Sequence, residues 1–574
     1  MQPAMLPARS RLLGLFAVLG LAAGLRLFGI GFALDLCSPE RALFANDGDA
    51  RGMTLEVLEL LRAGDLDPGS FYARGPAAFT LFGVIDALVV GVRACLHPRG
   101  WSGVVRELTE NPSLLHLVHR LISATAGVLT VALVFRIAAR EFGRGGAWLS
   151  ALALAVAYLP VRDSHFGTVD VLFGFVMLAA IDRMLLAIRE PWRAGSLGLG
   201  LLVGMATATK YFGVLLVALL ILAHALTCAR ARVEARPQPA TRVIALRLAV
   251  VPIGFLLAAP SVLVSVGSFL EHVLYDFEKL RPRPPGADWA RMFVFHARHT
   301  MAEGFGSLPL LLALAGLVPL ARRGQGGLFL ALSCLLLGVP LFATRFENAR
   351  YGIPFLVLLS IPAGVSLGAV WLRLRRPLAL AITLVAMAPS LFRSLSFDRV
   401  LGRPDTRVEM LAVLRQRGEP AADVLAVGWP LDLPIPERGS APPPFHLYSR
   451  RFDSEPLVDP LTRLPNTILL SASTPRAEIP QWPALRERIS RDYREVLRLE
   501  IGADPVGLLA VHGGTRALRI SYDTPWRQTR PGPALVLYER IGAGRAAPAC
   551  AGTKAGAWPR IGPRGRRSSE TAEE

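Results

Sequence analysis

Residues 147–181 read AWLSALALAVAYLPVRDSHFGTVDVLFGFVMLAAI. Two strongly apolar runs meet at a junction that holds Arg162, Asp163, His165 and Asp170. Each run approaches the roughly 20 residues needed to cross a hydrocarbon core about 30 Å thick. Lipid supplies no hydrogen-bond partners to the backbone, so such runs are expected to be helices. Ionisable groups at their ends are costly unless they face a cavity, a partner or a substrate. The stretch therefore predicts two spans joined at a polar membrane face.

The same pattern extends along the chain. Apolar windows fall at about 116–135, 146–161, 171–188, 196–209, 211–227, 248–266, 306–321, 327–343, 352–372 and 377–392, after a first run that follows Arg9 and Arg11. That first run lacks a convincing small-residue cleavage site and is expected to be a retained span. The chain has 574 residues, of which 52% are hydrophobic and only 19% charged. The expected fold class is an α-helical polytopic membrane protein of about eleven spans. The formal charge of +19 fits arginine clusters that record topology, and nucleic acid is not expected as a partner. The cysteines, Cys37, Cys95, Cys228, Cys334 and Cys550, lack metal-ligand spacing and read as small apolar fillers.

Orientation follows from the basic connections, because Lys and Arg are retained on the cytoplasmic side. With the N-terminus inside, every second connection is basic: Arg136, Arg140 and Arg144; Arg183, Arg189 and Arg193; Arg230 to Arg247; Arg322 and Arg323; Arg373, Arg375 and Arg376. One further apolar segment, Pro76 to Leu96, carries Asp86 and Arg93. A crossing there would turn all later clusters outward, so it is expected to be juxtamembrane or re-entrant, with a twelve-span chain as the alternative. The expected divisions are a membrane domain over 1–392 with a first outer loop at about 34–115, a soluble extracytoplasmic domain over 393–542, and a disordered tail over 543–574. DVLAVG, TILLSAS, VGLLAVHG and PALVLYERI are the expected strands of that small α/β domain. The expected location is the cytoplasmic (inner) membrane, multi-pass, with the active site outside.

Four polar segments collect at the outer face under this topology. VRDSHFGTVDV contributes Asp163, His165 and Asp170; TATKYFG, which divides a long apolar run, contributes Lys210; TRFENARY contributes Arg350 and Tyr351. The first outer loop contributes Asp47 and Asp49, ahead of a stripe of Met53, Val57, Leu60 and Leu61 expected to lie on the membrane surface. Asp163 and Asp170, two turns apart, would be about 10 Å apart on one face of a continuous helix. Plainer roles exist for each: Asp163 and Ser164 as helix caps, His165 as an interfacial hydrogen-bonding group, the first-loop aspartates as caps, and Arg350 paired with Glu347. Arg26, near the outer end of the first span, would reach the cavity or snorkel to headgroups. The segment from His272 to Trp289 is expected to form a loop over the cavity.

The order of these motifs resembles a known family. GLRLFGIG, an acidic loop followed by LRAGDLDP, HRLISATAGVLTVALVFRIAAREFGR, DSHFGTVDV, GLLVGMATATKY and ARYGIPFLVLL together resemble the polyprenyl-phosphate-sugar-dependent glycosyltransferases of the GT-C superfamily. That group contains the protein O-mannosyltransferases and the lipid A aminoarabinose transferases. The likeness covers about residues 10–390. The family's first-loop acid stands sixteen residues before the Asp of a Gly-Asp pair, which from Asp65 arrives at Asp49; its neighbours Gly48 and Ala50 depart from the family's Pro-Asp-Glu, leaving Asp47 as a substitute. The family's Thr-x-Asp matches Asp170, its lysine after a threonine matches Lys210, and its Ala-Arg-Tyr matches Arg350 and Tyr351. The lipid A branch has Glu-Lys-Pro where this chain has Ala73, Arg74, Gly75 and Pro76, which argues against transferring that branch's substrate.

The resemblance implies an enzyme, a hexosyl- or pentosyltransferase using a polyprenyl-phosphate-linked sugar donor and a lipid, glycan or protein acceptor. Asp49, with Asp47 as the substitute, would act as base or orient the acceptor. Lys210, Arg350 and Tyr351 would hold the donor phosphate, and Asp170 with Asp163 and His165 would hold the acceptor or a metal. No cofactor is certain; the carboxylates are compatible with a divalent cation, Mg or Mn. Two rival classes are a secondary transporter, which also gathers charges in broken helices, and a noncatalytic envelope-assembly protein of the same architecture. Charges at one face, no paired inverted halves and a sizeable outer domain favour the enzyme over the transporter.

Overall fold

A computed structural model describes residues 8–32, 34, 48–68, 75–190, 196–280, 289–343, 348–403, 406–417, 424–427, 446–448, 466–471, 482–500, 529 and 534–541. The chain starts with α1 (Ala8–Leu27), α2 (Gly48–Ala63), α3 (Ala77–Ala94) and α4 (Gly100–Glu110), and goes on to α5 (Ser113–Phe142). The stretch quoted above forms α6 (Arg144–Val156), a short α7 (Tyr158–Asp163) and α8 (Val169–Arg189). Then come α9 (Ser196–Thr209), α10 (Leu215–Val233), α11 (Thr241–Ala249), α12 (Val251–Ala258), α13 (Ser261–Val264), α14 (Val266–Leu280) and α15 (Trp289–Phe295). The membrane unit ends with α16 (Ser307–Ala321), α17 (Gln325–Ala343), α18 (Ile353–Arg373) and α19 (Arg376–Leu401).

The expected apolar windows are helical, but two are broken: 146–161 is divided between α6 and α7, and 248–266 between α11, α12, α13 and the start of α14. Among the described residues nine helices are long and apolar enough to cross a membrane, and three shorter apolar ones stand at Gly14–Leu27, Gly145–Val156 and Leu197–Thr209. Small residues let the helices close on one another, as expected where no hydrophobic force drives helices together in lipid. A Cβ added at Gly204 would stand 2.0 Å from the Val251 carbonyl, and one at Gly364 would stand 2.1 Å from Ser150 Oγ. These contacts seat α9 on α12 and α6 on α18. Outward faces keep large apolar side chains such as Leu311, Leu335 and Val385 exposed, the surface expected of a protein solvated by lipid.

The two ends of the bundle differ. At one end α8 begins beside His119 of α5, and a Cβ at Gly167 would stand 2.6 Å from His119 Cβ. At the other end Asp182 of α8 pairs with Arg136 and with Arg140 Nη2 at 3.0 Å, and Glu141 Oε2 meets Arg189 Nη2 at 3.0 Å. The basic residues at the end of α5 and of α8 thus gather at one end, and the DSHFGTVDV junction lies at the opposite one.

Helix α3 meets the length criterion for a span, yet two points on it sit at the junction end. Gly75, just before it, touches the backbone of Ala208 and Thr209, and Asp86, at its middle, bonds His119. These points are 11 residues apart, about 16 Å of helix, so α3 runs across the end of the bundle. One face, with Ala78, Phe82, Asp86 and Val90, is buried; the other exposes Val84, Leu88 and Val92. Both of its charges are paired, Asp86 with His119 and Arg93 with Glu107.

Three local expectations need correction. Met53 and Val57 do not lie on a surface: they are buried against Phe79, Phe82 and Val169, because α2 has α3 and the start of α8 to pack on. The segment after His272 stays helical to Leu280 instead of opening into a loop, with Phe269 packed on the Tyr211 and Phe255 rings; residues 281–288, with the prolines, lie outside the described residues. Arg26 does not snorkel to headgroups; it lines a small cavity with Gly127, Thr130, Pro160, Val171 and Ile353. It is 1% exposed, and its Nη1 and Nη2 donate to the carbonyls of Ala22, Ala155 and Leu154, while Nε has no partner among the described residues.

Beyond the membrane unit, α19 runs on to Leu401, past the boundary expected at 392, because Ser394, Phe397, Val400 and Leu401 remain buried. A five-stranded mixed sheet follows, made of β1 (Val424–Val427), β2 (His446–Tyr448), β3 (Thr467–Ser471), β4 (Tyr493–Leu499) and β5 (Leu535–Arg540), in the order β2-β1-β3-β5-β4. Strands β1, β2 and β3 pair in parallel and β5 is antiparallel to both neighbours. Helices α20 (Thr406–Gln416) and α21 (Trp482–Asp492) complete it, and Leu485 and Ile489 of α21 pack on the sheet. DVLAVG, TILLSAS and PALVLYERI supply β1, β3 and β5; VGLLAVHG and residues 543–574 lie outside the described residues.

Candidate active site

Three interruptions of helix build one cluster at the junction end. The first is the start of α8: Thr168 is extended (φ −93, ψ 159), and Asp170 falls in the first turn, where the positive end of the helix dipole favours a carboxylate. The second is the break after α9. Lys210 is extended (φ −156, ψ 129) and leads into a 3-10 turn, Tyr211–Val214. Gly213 is pressed on the backbone of Ala206 and Thr207, where a Cβ would stand 2.7 Å away. The third is a 3-10 turn at Ala349–Gly352 ahead of α18, capped by Asn348 Oδ1, which accepts from the Arg350 N–H at 3.3 Å.

The side chains from these breaks converge. Lys210 Nζ pairs with Asp170 Oδ1, Arg350 Nε lies 3.6 Å from Asp170 Oδ2, and Lys210 Nζ stands 4.4 Å from the centre of the Tyr351 ring. Two cations thus share one carboxylate, and one of them also rests on an aromatic face, a favourable cation–π placement. Asp170 is 4% exposed as a side chain, Lys210 13% and Arg350 11%. A site this dry strengthens every charge interaction inside it. Asp163 is buried, bonded to Arg162 Nη1 at 2.7 Å, and in electrostatic reach of Asp170, Arg350 and Lys210. The chain turns between α7 and α8, so Asp163 and Asp170 belong to two helices instead of one continuous face.

Of the other expected site residues, His165 lies elsewhere and the side chains of the first-loop aspartates lie outside the described residues. His165 faces away from the cluster: Nδ1 lies 3.0 Å from the Val161 carbonyl, Nε2 3.0 Å from the Phe28 carbonyl, and Asp398 Oδ1 3.7 Å from Nε2. It ties the junction to α1 and α19. Asp49 is in the first turn of α2 and its side chain lies outside the described residues; Asp47, Arg74 and Glu347 lie wholly outside them. Arg162 had a sequence signal, adjacency to Asp163, but its direction toward that carboxylate did not follow from spacing.

A divalent cation fits the described residues poorly. Asp170 already faces Lys210 and Arg350, and like charges would repel a metal there. Among the described residues no group of three or more His, Cys, Asp or Glu side chains could hold one.

Residues 114–255, from α5 to α12, match the family described as dolichyl-phosphate-mannose-protein mannosyltransferase. The match agrees with the resemblance read from the motifs. The matched segment contains Asp163, His165, Asp170 and Lys210 and stops short of Asp49 on one side and Arg350 on the other. No curated protein matches the chain. Among solved structures, it is similar to the oligosaccharyltransferase of Archaeoglobus fulgidus complexed with Zn and sulfate, at 15% identity and a TM-score of 0.45, over 72% of this chain and 60% of that one. It therefore spans less than two thirds of that enzyme. It is also similar to ArnT from Cupriavidus metallidurans bound to undecaprenyl phosphate, at 15% identity and a TM-score of 0.48, over 92% of this chain and 98% of that one. The Pmt1–Pmt2 protein O-mannosyltransferase complex of S. cerevisiae is similar over 50% of this chain and 36% of that one, at 17% identity and a TM-score of 0.28.

Proposed function

We propose that this protein is a membrane glycosyltransferase that moves a sugar from a polyprenyl-phosphate carrier to an acceptor hydroxyl or amine at the outer face of the cytoplasmic membrane. The observation that carries the proposal is the convergence of Lys210 and Arg350, from two helix breaks, on Asp170 at a third, with Tyr351 against Lys210. Such a site suits an anion that arrives from the bilayer, and the matched family is named for a lipid phosphate donor.

In the reaction the bond from the anomeric carbon to the phosphate oxygen breaks and a bond from that carbon to the acceptor forms. The phosphate leaves as polyprenyl phosphate with one more negative charge. Lys210 and Arg350 stabilise that charge where it grows, which is where fixed positive groups lower a barrier most. Asp170 keeps both cations in place, and Tyr351 fixes the direction of Lys210. Asp49, at the N-terminal turn of α2, takes the acceptor proton, with Asp47 as the substitute. The sheet domain after Leu401 stands on the same outer side under the arginine count.

Asp49→Asn keeps the side chain's shape and removes its proton-accepting charge. Turnover in a nanodisc preparation should fall about 10²- to 10⁴-fold, the usual contribution of a positioned base, while donor binding stays intact. A large loss in Asp47→Asn with near-normal Asp49→Asn would move the base to Asp47. Near-normal turnover in both would rule out first-loop carboxylate catalysis. For sidedness, a cysteine at position 170 should react from outside and one at 140 should not; the reverse result would overturn the orientation.

A further inference from the structure

A second buried polar array stands beside the candidate site. His119 of α5 places Nε2 at 3.0 and 3.1 Å from the two carboxylate oxygens of Asp86 on α3, and Nδ1 at 3.1 Å from Thr54 Oγ1 on α2. Asp86, His119 and Thr54 are each 0% exposed. The ring stacks on Phe82, with centroids 4.1 Å apart. On its other flank Gly167, three residues before Asp170, lies so close that a Cβ would clash with His119 Cβ. One imidazole thus touches α2, α3 and the junction that carries Asp170.

An ionised Asp86 only accepts, so Nε2 must carry the hydrogen facing it. Nδ1 then accepts from the Thr54 hydroxyl when the ring is neutral, or donates to it when the ring is charged. Either state keeps the contact. Full burial makes each bond expensive to leave unmade, and no substrate can reach the hydroxyl. The array is therefore suited to position helices, not to react.

We propose that His119, oriented by Asp86 and bonded to Thr54, is the positioning residue that fixes the α2 helix bearing Asp49 against the junction bearing Asp170. This rests on the transferase reading above only in naming Asp49 as the group positioned. Thr54 stands five residues after Asp49 on the same helix, so a loosened Thr54 contact would let the N-terminal turn of α2 drift. A drift of about 1 Å in a reacting group can cost on the order of 100-fold in rate.

The test uses the full-length protein in nanodiscs with Thr54→Val, which keeps the shape and removes the hydroxyl, and Thr54→Ser, which restores the hydroxyl. Asp86→Asn, which can still accept from Nε2, is compared with Asp86→Leu, which cannot. Thr54→Val and Asp86→Leu should speed amide exchange in α2 and lower kcat by about 10- to 100-fold, with affinity for polyprenyl phosphate unchanged because the Lys210 side is untouched. Thr54→Ser and Asp86→Asn should recover most of both. Unchanged α2 exchange in Thr54→Val overturns the proposal, as does a parallel loss of kcat, phosphate affinity and melting temperature, which would mark the array as general scaffold. The exchange arm needs no turnover: faster α2 exchange in a protein whose wild type transfers no sugar would uphold the anchoring and sink the transferase reading instead.

Discussion

The two ends of α8 each hold an aspartate paired with two cations, and the pairs are built differently. At Asp170 the partners are Lys210 and Arg350, drawn from breaks in two other helices and 13% and 11% exposed. At Asp182, about 18 Å further along the helix, the partners are Arg136 and Arg140, neighbours on one regular face of α5 and 58% and 24% exposed. Arg136 can turn into solvent at little cost; Lys210 and Arg350 have little water to turn to. A regular helix can display charges to headgroups without distortion, whereas three interrupted backbones around one carboxylate forgo helical hydrogen bonds that lipid will not replace. The geometry at Asp170 is thus the one that needs a functional reason, although both clusters look alike as lists of charges.

The largest expected effect tests that contrast at its centre. Lys210→Met removes the cation from the phosphate site and should lower transfer by about 10²- to 10³-fold, the usual loss of one transition-state donor, while also weakening polyprenyl phosphate binding in a direct titration. Full activity with normal affinity would make the two ends equivalent. A smaller effect separates the two aspartates. Asp170→Asn should slow transfer by roughly tenfold or more without weakening phosphate binding, since it leaves the cations and removes a competing anion. Asp182→Asn should leave transfer unchanged and cost about 1–3 kcal/mol of stability in denaturant titrations, because the carboxylate that Arg136 and Arg140 face is itself buried, 4% exposed. Equal loss of turnover in both variants would break the comparison.

Much of this was legible in the chain. The apolar windows found the helices of the membrane unit, since a run without charges has no other economical structure in lipid. The motifs brought Asp170, Lys210, Arg350 and Tyr351 forward as candidates, and the fold places those four together. His165, with the same standing in the sequence, is turned toward Phe28 and Asp398, because three residues outside helix separate it from α8 and spacing does not fix direction there. Asp86 counted against membrane burial in the sequence; in the structure it is buried and paired with His119, 33 residues away.

The sequence by itself determined which segments leave water, because hydrophobicity and run length are properties of consecutive residues. It also determined where those segments break, through Thr-Lys, Gly and Pro at their ends. Only the tertiary structure decided which charges meet. Lys210 finds Asp170 across 40 residues and Arg350 finds it across 180, and pairings at that distance depend on how Gly204, Gly213 and Gly364 let helices close. That closeness is set by packing among many helices at once, so no local pattern encodes it.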